Sequence, residues 1–460
     1  VSDVTLSLVS HTNVGKTTLA RTLLRRDVGE VLDQPHVTDV SEAYPAIEID
    51  GSRLLLWDTP GLGDTVRLLK RLRSEKNPVG WFLHQVWDRH RDRPLWCSQE
   101  ALRNVREDAD VVLYLVNAAE CPQDAGYVTP ELEILAWIGR PTLVLLNQTG
   151  ASGAAAERLA AEWRAFLAPQ AIVKDVLPLD AFTRSWVQED VLFAHVAPLL
   201  EGEKRALMQR LANAWRERNR EVFERSMALV AGGLARAATD REALPGALSS
   251  GAQKKAAMEA LAGRLERGQA RLWDEVVAVH GLEGTYAVEV RRHLDAFVFS
   301  GEPPLTPERG ALIGSVLSGA LGGLAADFLS GGLSLGGGLI AGAILGAIGG
   351  AGLGHAVRLL DAGGQPAVSW GPTFLDRLVE RDLLRYLAVA HFGRGRGRFE
   401  GSGEPEAWRN EVLAALEPRR GRLARLWKEA TTKGADKEAL ARRLAIELEG
   451  AAETVLSASS

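Results

Sequence analysis

Eight consecutive residues, Ser10-His11-Thr12-Asn13-Val14-Gly15-Lys16-Thr17, carry the most legible chemistry in this chain. A loop of small residues can turn successive backbone N–H groups inward, and a helix opening behind it adds partial positive charge, so the two together cradle a polyphosphate. Lys16 is placed to reach the terminal phosphates and the Thr17 hydroxyl to meet Mg2+. Ser10, Asn13, Val14, Gly15 and Thr18 complete the candidate phosphate contacts, with Ser10 standing where the usual pattern opens on Gly. Asp58-Thr59-Pro60-Gly61 is the second piece: Asp58 can hold the metal through a water, and Gly61 can offer its N–H to the last phosphate. Asn147-Gln148, at the end of another apolar run, is the third, a candidate contact to the base.

These groups work only if strands and helices hold them in register. Val4–Val9 is an apolar run that predicts a buried strand before the loop, and Thr18–Leu24 has the pattern of a helix after it. Leu54–Trp57 predicts a second buried strand delivering Asp58. Asp50-Gly51 between two alternating runs predicts a tight hairpin, so that strand has an antiparallel neighbour. This topology suits a Ras-like head better than kinases or other phosphate-loop folds. Thr38, in the preceding loop, is then the candidate to close on Mg2+ and the γ-phosphate. Leu177-Pro178-Leu179-Asp180-Ala181 resembles the loop that closes over a base, with Asp180 and Ala181 in the matching places.

On these motifs, residues 3 to 200 resemble the Era/TrmE-like branch of the translation-factor-related GTPases. The whole string resembles more closely an uncharacterised bacterial GTPase family in which such a head precedes a helical tail. The resemblance implies an α/β Ras-like domain, mostly parallel with one antiparallel strand, that binds GTP or GDP with Mg2+ and hydrolyses GTP. Two departures bear on activity. Leu62 occupies the position where Ras-type enzymes carry a water-orienting Gln, so a slow enzyme is expected. Gln148 and Gly150 replace the Lys and the base-reading Asp of the guanine motif, which leaves ATP open as an alternative nucleotide. In TrmE-like relatives an Asn in the phosphate loop helps bind K+. Asn13 has that position here, and the alternative is that it simply fixes the loop. Lys16, Asn13 and Thr38 are the candidate catalytic residues, and Thr17, Thr38 and Asp58 the candidate metal ligands.

The chain has 460 residues, enough for two or three domains, and a net charge of −5 that disfavours a general nucleic-acid binder. Two cysteines, Cys97 and Cys121, argue for a reducing compartment without a disulfide framework. The expected plan is a GTPase domain over 1–200, with an aromatic and arginine-rich insert at 68–96 behind Gly61. A helical domain follows over 201–300, then a glycine-rich apolar hairpin over 308–360 and a helical region over 373–460, making the tail all-α. Leu207, Leu211, Trp215 and Val222 are expected to line one side of the first tail helix, and residues 405–457 to form two polar helices.

Residues 311–360 read as two apolar helices joined by a Gly/Ser turn, with Gly314, Ser318 and Gly322, and Gly342, Gly346 and Gly350, four apart. Such spacing lets helices approach closely, as in membrane hairpins; the first segment reaches the roughly 20 residues that span a bilayer core, and the second just reaches it with His355 and Arg358 at the interface. A buried hairpin in a soluble core is the alternative. Three functions follow: a membrane-associated GTP switch, cytoplasmic and peripheral or hairpin-anchored at the inner membrane; a membrane-inserting scaffold with a weakly hydrolytic site; or an ATPase. A guanine nucleotide and an unidentified protein are the expected partners, and no specific nucleic acid is.

Overall fold

The computed structural model describes residues 3–24, 41–85, 92–147, 154–179, 186–246, 249–281, 357–361, 366–390, 406–432 and 434–458. They fall into two compact units, one running from the N-terminus to Val222 with short later pieces, the other formed chiefly by Phe223–Val389 and Gly401–Val455.

The first unit is built on a six-stranded sheet in the order β2-β3-β1-β4-β5-β6. Its strands are β1 (Val4–Ser10), β2 (Glu42–Ile49), β3 (Ser52–Asp58), β4 (Val111–Asn117), β5 (Thr142–Asn147) and β6 (Val173–Pro178). Every pairing is parallel except β2 with β3. The continuous apolar runs have a simple cause: helices cover both faces of the parallel strands, so β1 and β5 are buried along their whole length. At the β2–β3 corner, Asp50 and Gly51 have φ of 48° and 74°, the paired left-handed turn that matches strand twist.

The covering helices are α1 (Lys16–Leu24), α2 (Thr65–Leu72), α3 (Pro78–His84), α4 (Arg93–Glu107), α5 (Val128–Ile138), α6 (Ala154–Leu167) and α7 (Trp186–Val196). The expected insert resolves into the end of α2, then α3 and the start of α4. Phe82 is fully buried there in the head's own core, and Trp81 packs against it. Trp87 lies outside the described residues.

A long helix, α8 (Gly202–Thr239), follows. Its first half belongs to the first unit, where Leu207, Met208, Leu211 and Trp215 join the core beneath β1 and β4. The unit therefore extends beyond residue 200. Val222, almost two full turns beyond Trp215, is only half-buried, while Phe223, next in the chain and the first residue of the second unit, is buried.

The second unit corrects the expectation of an all-α tail. β7 (Arg241–Ala243), β8 (Val357–Asp361) and β9 (Pro366–Trp370) form an antiparallel sheet in the order β7-β9-β8. Residues 357–360, expected as the end of the second hairpin helix, are thus a strand: Val357–Asp361 pairs residue for residue with Trp370–Pro366. β9 supplies a buried apolar stretch, Ala367, Val368 and Trp370, that this pairing anchors. The helices are α9 (Gly251–Val279), α10 (Pro372–Ala390), α11 (Glu406–Leu416), α12 (Arg420–Ala430) and α13 (Lys437–Ala458). Among the described residues the last stretch holds three helices rather than two; a short turn at Glu417–Arg419 and a break before Lys437 divide it. Residues 311–356, the body of the hairpin, lie outside the described residues. Among the described residues no helix is long and apolar enough to cross a membrane.

Candidate functional site

β1 ends at Ser10 and α1 begins at Lys16, so the loop lies at the carboxyl end of the central strand, where parallel sheets place ligands. Asn13 is exposed and has a left-handed backbone, φ 62°, a conformation that Asn tolerates better than most residues. Lys16 is buried, and its ammonium donates to Ser10 Oγ at 2.9 Å and lies 3.5 Å from the His11 carbonyl. The hydroxyl of Ser10 thus holds the lysine across the mouth of the loop. Burial lowers the Lys16 pKa, against the opposing charges of Asp58 and Glu131.

Thr17 Oγ1 donates to Asp58 Oδ2 at 2.6 Å. Asp58 is almost fully buried, and its Oδ1 accepts no hydrogen bond from the described residues. Burial pushes its carboxyl up to about 6, with the Thr17 hydroxyl and the Lys16 charge pulling the other way. A hydroxyl and a carboxylate in contact, with one carboxylate oxygen left over, are the donors that Mg2+ takes, a hard cation that prefers oxygen and keeps several waters. These residues therefore fit the metal.

The segment after Asp58 lies directly against the loop. Leu62 N donates to the Ser10 carbonyl at 2.9 Å, and Leu62 bridges His11 in parallel register. A Cβ on Gly61 would stand 2.9 Å from the Thr12 backbone, so only glycine lets the chain pass there. Leu62 itself is fully buried in the core, so its side chain cannot take the role of a water-orienting group.

Asn147 reaches the loop from β5: Nδ2 donates to the Val14 carbonyl at 2.7 Å, and the side chain is fully buried. It ties the base-side strand to the phosphate loop. Val14 packs in the core, and Thr18 is buried with its carbonyl accepting from Thr22. The structure therefore gathers Ser10, Asn13–Thr18, Asp58, Gly61 and Asn147 around one loop. Thr38, Gln148, Gly150, Asp180 and Ala181 lie outside the described residues.

One group escaped sequence reasoning. Glu131 on α5 is fully buried beside the loop, with Oε1 2.7 Å from His11 Nδ1 and Oε2 accepting from Tyr114 at 2.7 Å. His11 stacks on Tyr127 with ring centroids 4.6 Å apart. The signal was the helix pattern: Glu131 shares the face of Val128, Leu132 and Leu135, all buried, and a carboxylate on an apolar face must find partners.

Residues 5–148 match the family described as 50S ribosome-binding GTPase. Residues 170–448 match the family described as a domain of unknown function, DUF3482. Similar solved structures include an Era variant from Aquifex aeolicus bound to GDP.AlF4-, at 20% identity over 44% of this chain and 59% of that one, with a TM-score of 0.32. Another is Era in complex with MgGDPNP and nucleotides 1506–1542 of 16S ribosomal RNA, at 20% identity over 44% and 58%, TM-score 0.32. The FeoB G-domain from Methanococcus jannaschii matches at 17% identity over 39% and 87%, TM-score 0.24. The chain spans under three fifths of the length of the two Era structures. No curated protein matches it.

Proposed function

From a chain that belongs to the DUF3482 family and carries a phosphate-loop GTPase domain at its head, we propose that the head binds GTP with Mg2+ and hydrolyses it slowly. In this reading the reaction switches the state of the helical tail. The observation that carries the proposal is the set of groups at the end of β1: a buried Lys16 beside a Thr17–Asp58 pair with one carboxylate oxygen to spare.

Thr17 and Asp58, with Thr38, would hold Mg2+, which supplies charge neutralisation to the phosphates when bound. Lys16 stabilises charge that grows on the transferring phosphoryl group, and it costs no reorganisation because Ser10 already fixes it. The N–H groups of the loop hold the phosphates in line with the attacking water. Leu62 leaves that water without a side chain to orient it, which supports a low rate. Asn13 offers one exposed oxygen donor at the loop, the basis for K+ assistance, and unequal hydrolysis in K+ and Na+ would support it.

Contact with the inner membrane is part of the proposal and rests on the small-residue spacing of 311–360. A cytoplasmic head, with the hairpin peripheral or anchored, is the corresponding arrangement, and an unidentified protein would receive the signal. Two other readings stay distinct in outcome. A binding-only scaffold would show tight GTP with no single-turnover hydrolysis. An ATPase, which Gly150 keeps open, would show ATP displacing a fluorescent GDP analogue as well as GTP does. The deciding experiment is titration of the full chain with that analogue and Mg2+, followed by single-turnover hydrolysis with and without liposomes. Failure to bind would remove the proposal.

A further inference from the structure

The buried carboxylate of Glu131 is costly, since an apolar residue at its place on α5 would complete the face formed by Val128, Leu132 and Leu135 without desolvating a charge. The structure shows what it touches. Oε1 is shared by His11 Nδ1 at 2.7 Å and by the Thr65 hydroxyl, which donates at 3.3 Å; Oε2 accepts from Tyr114 at 2.7 Å. His11 belongs to the phosphate loop, Tyr114 to β4, and Thr65 is the first residue of α2. Thr65 is itself buried. Burial raises the Glu131 pKa, while His11, Tyr114 and the Lys16 charge favour its ionised form. The backbone joins the same segments a second time, through Leu62 N and the Ser10 carbonyl.

We propose that Glu131 is a positioning residue whose carboxylate links His11 of the phosphate loop to Thr65 of α2, so that a change at the loop is passed to that helix. This goes beyond the proposed function but rests on its reading that the loop takes a guanine nucleotide. β4 is the shared member: Tyr114 lies inside the sheet and anchors one oxygen, leaving the other to span the phosphate loop and the start of α2. A single carboxylate oxygen serving both His11 and Thr65 makes their positions interdependent, because moving either changes the geometry left to the other.

The test uses the full chain with Mg2+ and either GDP or a non-hydrolysable GTP analogue, reading amide hydrogen exchange over residues 62–72. The unsubstituted protein should differ between the two nucleotides. Glu131→Gln should reduce that difference by at least ~2-fold, while affinity for a fluorescent GDP analogue stays within ~3-fold of the unsubstituted chain. Thr65→Val removes only the contact on the α2 side and should give the same loss of coupling, and it decides the matter if Glu131→Gln does not fold. An undiminished difference in either folded variant would overturn the inference, as would an unsubstituted chain that binds both nucleotides with identical exchange over α2. Absence of nucleotide binding by the unsubstituted chain would instead remove the proposed function, and this inference with it.

Discussion

At the tip of β1, Lys16 and Asp58 are buried beside groups that leave them facing a loop. In α10 of the second unit, Asp382 and Arg385 are buried among side chains that surround them. Asp382 Oδ2 accepts from Gln269 at 3.2 Å, Gln269 in turn accepts from Trp273 at 3.0 Å, and the Arg385 guanidinium lies 5.7 Å from the Trp273 ring. Burial raises the Asp382 pKa, against the charges of Arg381 and Arg385. Both regions hide charge, yet they differ in what the charge serves. In the tail a carboxylate on one helix meets an amide on another, a polar contact that fixes how α9 and α10 face each other. In the head, Lys16, Thr17, Asp58 and Asn147 all meet at the loop between β1 and α1. Burial of a charge alone does not mark a ligand site; several such groups gathered from separate elements at one loop are what set the head apart.

The comparison can be broken most sharply at Lys16. Lys16→Ala should weaken GTP binding at least ~30-fold, the scale of a lost charged hydrogen bond, with the unfolding midpoint little changed; isothermal titration and a denaturant melt check the two together. If binding survived, the loop would be a structural turn like any other. Asp382→Ala should do the reverse, lowering stability by about 3 kcal/mol by leaving nearby guanidinium charge uncompensated, with nucleotide affinity intact. Asp382→Asn keeps an acceptor for Gln269 and should cost less. Asp58→Asn should raise the Mg2+ concentration needed for tight GTP binding by about 10-fold, read from affinity at stepped metal concentrations.

The smallest effect belongs to Asp3, whose carboxyl takes Arg53 Nη2 at 2.6 Å and Nε at 3.2 Å and is held below its usual pKa by that guanidinium. A carboxylate with a depressed folded pKa adds stability above its unfolded pKa and loses it as pH falls. Asp3→Asn should therefore be slightly less stable at neutral pH, and the difference should vanish as pH drops below about 4. Thermal melts across that range check the sign. A gap that widened in acid would show that the pair acts through packing rather than charge.

Local sequence was enough for several elements because the information they need is local. The phosphate loop is contiguous, the Asp50-Gly51 turn requires residues that accept φ above zero, and buried parallel strands must be apolar throughout. Val222 and Phe223 show where pattern reading slips: adjacent residues on a long helix differ by about 100°, and only the neighbouring core decides which is inside. Val357–Asp361 has no strong periodicity of its own, and pairing with β9 is what makes it a strand rather than the end of a helix.

The sequence by itself determined that a polyphosphate cradle opens the chain, that Asp58 closes a strand beside it, and that a glutamine is missing after Gly61. Those features depend on residue type and short spacing. Only the tertiary structure decided that Ser10 holds Lys16, that Asn147 grips the Val14 carbonyl, and that Glu131 joins His11 to Thr65 across 120 and 66 residues of chain. Those contacts form because folding a parallel sheet brings the ends of distant strands together, and no pattern along the chain records which side chains then meet.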